Sequence, residues 1–327
     1  MMCPSKQSSY VHNTRKDSYW QILYFVYNTY MATKQDKQTP QSFLSKMFEL
    51  MFYANRRLGI FTPPDDLGPY LEEKRKEQER PYSPVKLLLF ASTFTVDMIE
   101  DVPVVRFKPR KRTAGKRMLY FHGGAYVDDA TALHFHFIDS LIRESPMEVY
   151  MPIYPKTPTH TATQVIDAIS RLVPALPAFD IIAGDSAGGG LALALTSILR
   201  LKADHLILIS PWLSLSLSHP EIEQLIPADP LLNREYLREI GRIYKGELDW
   251  EDPRVSPLYA EIDEQIQVSV FSGTHEIFLP DIRDFVQRMQ KTQDTLYVEM
   301  EGMNHDYPLF PMKEGLAAVQ KIVERIR

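Results

Sequence analysis

The chain has 327 residues, 44% of them hydrophobic and 24% charged, with a formal net charge of −5. Such a composition supports an ordinary globular core, and the mildly acidic balance offers no electrostatic footprint for nucleic acid or an anionic membrane. A single cysteine, Cys3, excludes an intrachain disulfide and fits a reducing, cytoplasmic setting.

Residues 1–85 are rich in aromatics and methionine. The start of the chain lacks the basic, apolar and small-residue pattern of a secretory signal. Residues 19–31 form the most hydrophobic early stretch, but Gln21 and Asn28 interrupt it and it is too short to span a bilayer. An amphipathic helix is expected there, packed on the core or on a lipid surface, with no stable membrane insertion. Phe43, Met47, Phe48 and Met51 recur at helical spacing and predict a second helix. After Pro63-Pro64, the run Glu72-Glu73-Lys74-Arg75-Lys76-Glu77 is expected to be a solvated helix face.

From about residue 86 the pattern changes. Apolar runs at 116–121, 148–154, 180–183, 205–209, 267–272 and 295–301 predict strands, and stretches such as 131–144, 164–172, 188–199 and 281–290 predict helices between them. Near-continuous apolar strands alternating with helices imply an α/β fold with a mostly parallel sheet covered on both faces. Polar sites in such sheets gather at the carboxyl ends of the strands.

Within Asp180-Ile-Ile-Ala-Gly-Asp-Ser-Ala-Gly-Gly-Gly190, the centre Gly184-x-Ser186-x-Gly188 follows an apolar strand and opens a helix rich in small residues. That setting suits a nucleophilic serine on a sharp turn. The glycines match neither the dinucleotide fingerprint nor a phosphate-binding loop. A serine hydroxyl needs a base, and the base an orienting acid, in the chain order serine, acid, histidine. His305, just past the last predicted strand, is the expected base. Glu276 at the end of the 267–272 strand is the favoured acid; Asp281, in the first turn of the next helix, is its rival. Tyr120-Phe-His-Gly-Gly-Ala-Tyr126 places Gly123 and Gly124 after a strand, where their N–H groups, with that of Ala187, can form an oxyanion hole.

Other features carry less. His134-Phe-His136 is badly arranged for a metal, because positions i and i+2 of a helix face different directions. Asp128-Asp129 is expected to favour the start of the following helix. Trp212 suits a pocket wall or a core position equally.

Together, Tyr120-Phe-His-Gly-Gly-Ala-Tyr126, Gly184-Asp-Ser-Ala-Gly-Gly189, Asp252-Pro-Arg-Val-Ser-Pro-Leu-Tyr259 and Gly302-Met-Asn-His305 resemble the hormone-sensitive-lipase-like, bacterial-type carboxylesterases of the α/β-hydrolase superfamily. The likeness covers roughly residues 86–327. It implies an eight-stranded, mostly parallel sheet flanked by helices, no cofactor and no metal. It also implies a helical cap built from residues 1–85 and an insertion at about 213–246. Two residues depart from the pattern: Ala125 replaces the third glycine, and Glu276 stands where aspartate is usual.

The expected activity is hydrolysis of short-chain carboxylic esters through an acyl-enzyme, with a small-molecule ester as partner. Rate should rise as His305 loses its proton near pH 6–7. An amidase or deacetylase using the same triad, and a silent ligand-binding protein on this fold, are the alternatives. Homo-oligomer formation stays open.

Overall fold

The computed structural model describes residues 41–57 and 67–327, with the side chains of 53–57 left aside. Cys3, the stretch 19–31 and Pro63-Pro64 lie outside the described residues.

Eight strands form one sheet: β1 Ser92–Ile99, β2 Val102–Pro109, β3 Lys116–Phe121, β4 Met147–Pro152, β5 Ile181–Asp185, β6 His205–Ile209, β7 Gln267–His275 and β8 Thr295–Asn304. Their spatial order is β1-β2-β4-β3-β5-β6-β7-β8. The β1–β2 and β2–β4 pairs are antiparallel, and every later pairing is parallel.

Strand residues alternate between two apolar layers, as the two-residue period requires. Leu119, Ile182, Leu206 and Val268 face one layer. Met118, Ile181, Ile207 and Phe271 face the other. Helices cover both. Ala162–Leu172 (α4), Ser186–Ile198 (α5) and Leu279–Met289 (α8) pack in the first layer with Arg234–Lys245 (α7). Ala132–Glu144 (α3) and Lys313–Arg325 (α9) pack in the second. The short α6 spans Ile222–Leu225.

Among the described residues, two helices precede the sheet. Phe43–Arg57 (α1) inserts Phe48 and Phe52 into the second layer, where Phe52 meets Phe310 edge-on at 5.6 Å. Leu67–Gln78 (α2) buries no residue fully. Among the described residues, no helix is long and apolar enough to cross a membrane.

The six parallel strands fall where the apolar runs predict them, whereas β1 and β2 carry no such signal. β1 is an edge strand with mostly exposed residues, and Pro103 and Pro109 interrupt β2. The turn between them uses Glu100 and Asp101 at φ 48° and 62°, with no glycine to mark it.

Candidate active site

Strand β5 runs straight into α5, and the junction residue is Ser186, at φ 52°. A non-glycine residue in that left-handed region costs about 1–2 kcal/mol, so the surroundings must hold it there. They do so by close approach. A Cβ on Gly184 would lie 2.4 Å from the Gly188 carbonyl oxygen, and one on Gly188 would lie 2.1 Å from that of Phe121. Only glycine at both positions lets strand and helix close around the serine.

His305 arrives from the end of β8. Its Nε2 lies 2.9 Å from Ser186 Oγ, and its Nδ1 lies 2.7 Å from Glu276 Oε2. Glu276 is wholly buried after β7, and its Oε1 accepts hydrogen bonds from Ser210 Oγ at 3.0 Å and the Gly273 N–H at 2.8 Å. Both carboxylate oxygens are thus engaged, which fixes the one that meets the imidazole. Asp281 sits in the first turn of α8, where burial pushes its pKa up to about 6 with His219 and Asp284 as its charged neighbours. The structure brings Glu276, and not Asp281, to His305. The other late histidine, His275, pairs instead with Glu49 of α1 at 2.5 Å.

The electrostatics of His305 differ from the sequence expectation. Burial lowers its pKa, but the carboxylates of Asp306, Glu276 and Asp229 outweigh that effect and raise it to about 9. Asp306 was not visible as a participant in the sequence. Its Oδ2 lies 3.2 Å from His305 Nε2, its backbone is left-handed at φ 56°, and its N–H donates to Ser210 Oγ at 3.0 Å. Ser210, at the end of β6, therefore ties Glu276 and the His305 loop to one hydroxyl.

The loop after β3 holds Gly123 and Gly124, the residues expected as oxyanion donors. Gly124, Ala125 and Tyr126 all have positive φ, at 117°, 53° and 61°. The Val127 and Asp128 N–H groups both donate to the Gly124 carbonyl at 2.9 Å. Gly123 plays a different part from the expected one: its N–H donates to Asp185 Oδ2 at 3.0 Å. That same carboxylate accepts the Tyr120 hydroxyl at 2.5 Å and meets His134 Nε2 at 3.1 Å. Burial raises the Asp185 pKa, but His134, Tyr120 and His122 outweigh it and hold it below the ordinary carboxylate range. His134 Nδ1 accepts the Thr131 N–H at 2.9 Å, so its Nε2 is the nitrogen that donates to Asp185. His134 thus has a structural role in place of a metal pair, and no group of three candidate ligands occurs among the described residues. His122 stacks on Tyr154 at 4.6 Å; burial, then Lys156, lowers its pKa to about 4 and keeps it neutral.

Trp212 is fully buried and stacks on Phe278 at 5.6 Å, and Phe278 meets the His305 ring edge-on at 5.1 Å. Asp128 and Asp129 serve ion pairs with Lys74 and Lys156, at 2.7 and 2.6 Å, beyond any helix-start effect.

Compared with known proteins, residues 118–309 match the family model for the α/β-hydrolase fold. The chain belongs to the α/β-hydrolase family. Among its relatives, an esterase of Acinetobacter venetianus is 31% identical over 210 residues, which is 61% of this chain and 69% of that protein. An acetyl-hydrolase of Streptomyces hygroscopicus is 27% identical over 224 residues, or 64% of this chain and 74% of its own. A solved structure from Staphylococcus aureus superposes with a TM-score of 0.75 at 28% identity, over 81% of this chain and 94% of that one. An esterase of the bacterial hormone-sensitive lipase family shares the fold with a TM-score of 0.72 at 22% identity, over 89% and 99%. As an α/β hydrolase, the chain has Gly184-x-Ser186-x-Gly188, Glu276 and His305 in the serine, acid, histidine order that the fold uses.

Proposed function

We propose that the protein is a serine carboxylesterase and that Ser186, His305 and Glu276 are its catalytic residues. The observation that carries this reading is the continuous path from Ser186 Oγ through His305 to Glu276, at 2.9 and 2.7 Å, on a strained strand-to-helix turn.

In this mechanism Ser186 Oγ attacks the ester carbonyl carbon while its proton passes to His305 Nε2. Glu276, held by Ser210 and Gly273, keeps Nδ1–H in place and stabilises the imidazolium. Charge that develops on the carbonyl oxygen meets the N–H of Ala187, in the first turn of α5, where helix N–H groups have no intrahelical acceptor. The N–H of Gly124 supplies the second donor, with Gly123 holding the loop through Asp185. His305 then returns the proton to the leaving alkoxide, and a water molecule repeats the steps to free the acid and regenerate Ser186.

A preference for short acyl chains accords with the name acetyl-hydrolase that one relative carries. The cap in this reading consists of α1, α2 and the insertion at about 213–246. Contacts of α2 with the 124–128 loop, and the stacking of Tyr244 of α7 on Tyr126 at 3.7 Å, support it. A cytoplasmic setting fits the single cysteine.

Hydrolysis of p-nitrophenyl acetate and longer-chain homologues, by the wild type and Ser186→Ala, tests the reading. Turnover should fall at least about 10³-fold in the variant. Equal rates in the two proteins would refute Ser186 as nucleophile. Matched anilides distinguish an amidase, and ligand binding without turnover a silent protein.

A further inference from the structure

The geometry points to a role for Lys74 that the charged run around it conceals: we propose that Lys74, on α2, is a positioning residue that clamps the 124–128 loop so that the Gly124 N–H faces the reacting carbonyl. This rests on the esterase reading above, in which Gly124 is an oxyanion donor.

The loop needs an external hold. Three consecutive residues with positive φ, two of them not glycine, are not a conformation the chain keeps unaided. On the sheet side, Asp185 secures Gly123. On the opposite side Tyr244 of α7 stacks on Tyr126, and α2 supplies the polar contacts to residues 127 and 128. Lys74 Nζ lies 2.7 Å from Asp128 Oδ1, and the Tyr70 hydroxyl lies 3.5 Å from Asp128 Oδ2. Gln78 Nε2 donates to the Val127 carbonyl at 3.3 Å and to the Thr157 carbonyl at 2.7 Å, while the Thr157 N–H donates to the Tyr126 carbonyl at 2.8 Å.

Tyr70, Lys74 and Gln78 are spaced four residues apart, so they form one stripe of the helix. Elsewhere in the charged run Glu72 pairs with Arg75 and Lys76 on the exposed side, and Glu77 shares Lys74 with Asp128, its Oε2 lying 2.9 Å from Nζ. The expectation of a solvated face therefore holds for one side of α2 only. Lys74 has a side-chain exposure of 17%, and a part-buried ion pair is screened less by salt than an exposed one. Burial lowers the Lys74 pKa, but Asp128 and Glu77 outweigh that and raise it, so the ammonium stays charged across the working range.

The force of the clamp reaches the donor through a short path. Asp128 carries the carboxylate that Lys74 holds, and its own N–H binds the Gly124 carbonyl at 2.9 Å. A Cβ on Gly124 would sit 2.8 Å from the Asp128 carbonyl oxygen, so the two residues are packed closely. The same Asp128 links onward to the insertion, because the Tyr236 hydroxyl of α7 donates to Tyr70 at 3.2 Å.

The test uses the full chain with p-nitrophenyl acetate, with thermal melts to establish folding. Lys74→Met should lower kcat about tenfold, part of the 10²–10³ that one oxyanion donor supplies, with KM within about twofold. Lys74→Arg should recover most of the loss. Adding Asp128→Asn to Lys74→Met should cost little more, because both act on one contact. A folded Lys74→Met protein with wild-type kcat, or one in which KM alone rises, would overturn the proposal. Hydrogen exchange of the Val127 and Asp128 amides gives a readout independent of turnover. Faster exchange in Lys74→Met supports the clamp, and unchanged protection refutes it, even if Ser186→Ala shows that the esterase reading itself is wrong.

Discussion

His305 works inside a ring of carboxylates. Glu276 meets one ring nitrogen and Asp306 approaches the other, and Asp229 adds its charge from farther away. In the proposed mechanism His305 must be neutral to accept the Ser186 proton, and a pKa near 9 leaves most of the imidazole protonated at neutral pH. The acid limb of kcat/KM against pH is therefore expected near pH 9, and not at the 6–7 of an unperturbed histidine. Asp306→Asn removes the first of the groups that raise the pKa, a carboxyl that burial pushes above the ordinary range and the His305 charge pulls back down. It should move the limb toward acid by at least half a unit, estimated roughly from what one nearby charge contributes, and increase activity at pH 7. A limb that stays in place in the variant would show that Asp306 does not act on His305. The Gly-x-Ser-x-Gly turn, the chain order and placement after predicted strands suggest Ser186, Glu276 and His305, with Asp281 as a rival acid. Asp306 and Ser210 were not legible as partners, since their role depends on an approach across 96 residues that no local pattern encodes.

At the scale of elements, one carboxylate joins α3 to the edge of the sheet. Asp139 is buried and accepts the N–H groups of Phe90, Ala91 and Ser92, at 3.0, 3.1 and 2.8 Å, and the Ser92 hydroxyl at 2.6 Å. Hydrogen bonds to a charged acceptor contribute about 1.5–3 kcal/mol, and leaving such donors buried without a partner costs a similar amount each. Asp139→Ala should therefore lower unfolding free energy by about 3 kcal/mol or more in urea titration. A loss below about 1 kcal/mol would mean that water replaces the carboxylate. Nothing in the sequence marks this aspartate, which reads as one polar residue in an apolar helix. The hairpin it secures, β1–β2, was equally hidden, because an exposed edge strand lacks the continuous apolar run that made β3 to β8 readable. Lys74 shows the converse case. A run of charges fixes that a helix has a polar face, but not what docks on it.

For the whole molecule, protonation couples stability to pH in a direction opposite to ordinary acid denaturation. Between pH 6.5 and 9 the folded chain holds a proton on His305 that the unfolded chain releases. The contribution is complete below 6.5 and is lost as pH rises through about 9, since the state binding more protons is favoured at low pH. Below 6.5 the effects oppose one another. His122 and His136, lowered to about 4 chiefly by burial, favour folding as pH rises, whereas Asp229 and Asp281, raised by burial to about 6, favour it as pH falls. Urea midpoints should consequently fall between pH 6.5 and 9, and Asp306→Asn should flatten that slope. A midpoint that rises over the interval would contradict the assignment of His305 as a proton holder.

The left-handed backbone at Ser186 sets hydrolysis against durability. Glycine adopts φ 52° without the penalty that serine bears there, so Ser186→Gly should yield a chain that melts higher and turns nothing over. Selection for robustness alone would thus erase the proposed nucleophile. In a lineage freed from the need to cleave esters, the first substitution to spread at this position should be glycine, and a homologue that keeps Glu276, His305 and the two flanking glycines around such a residue would be a retired enzyme that became sturdier on retirement.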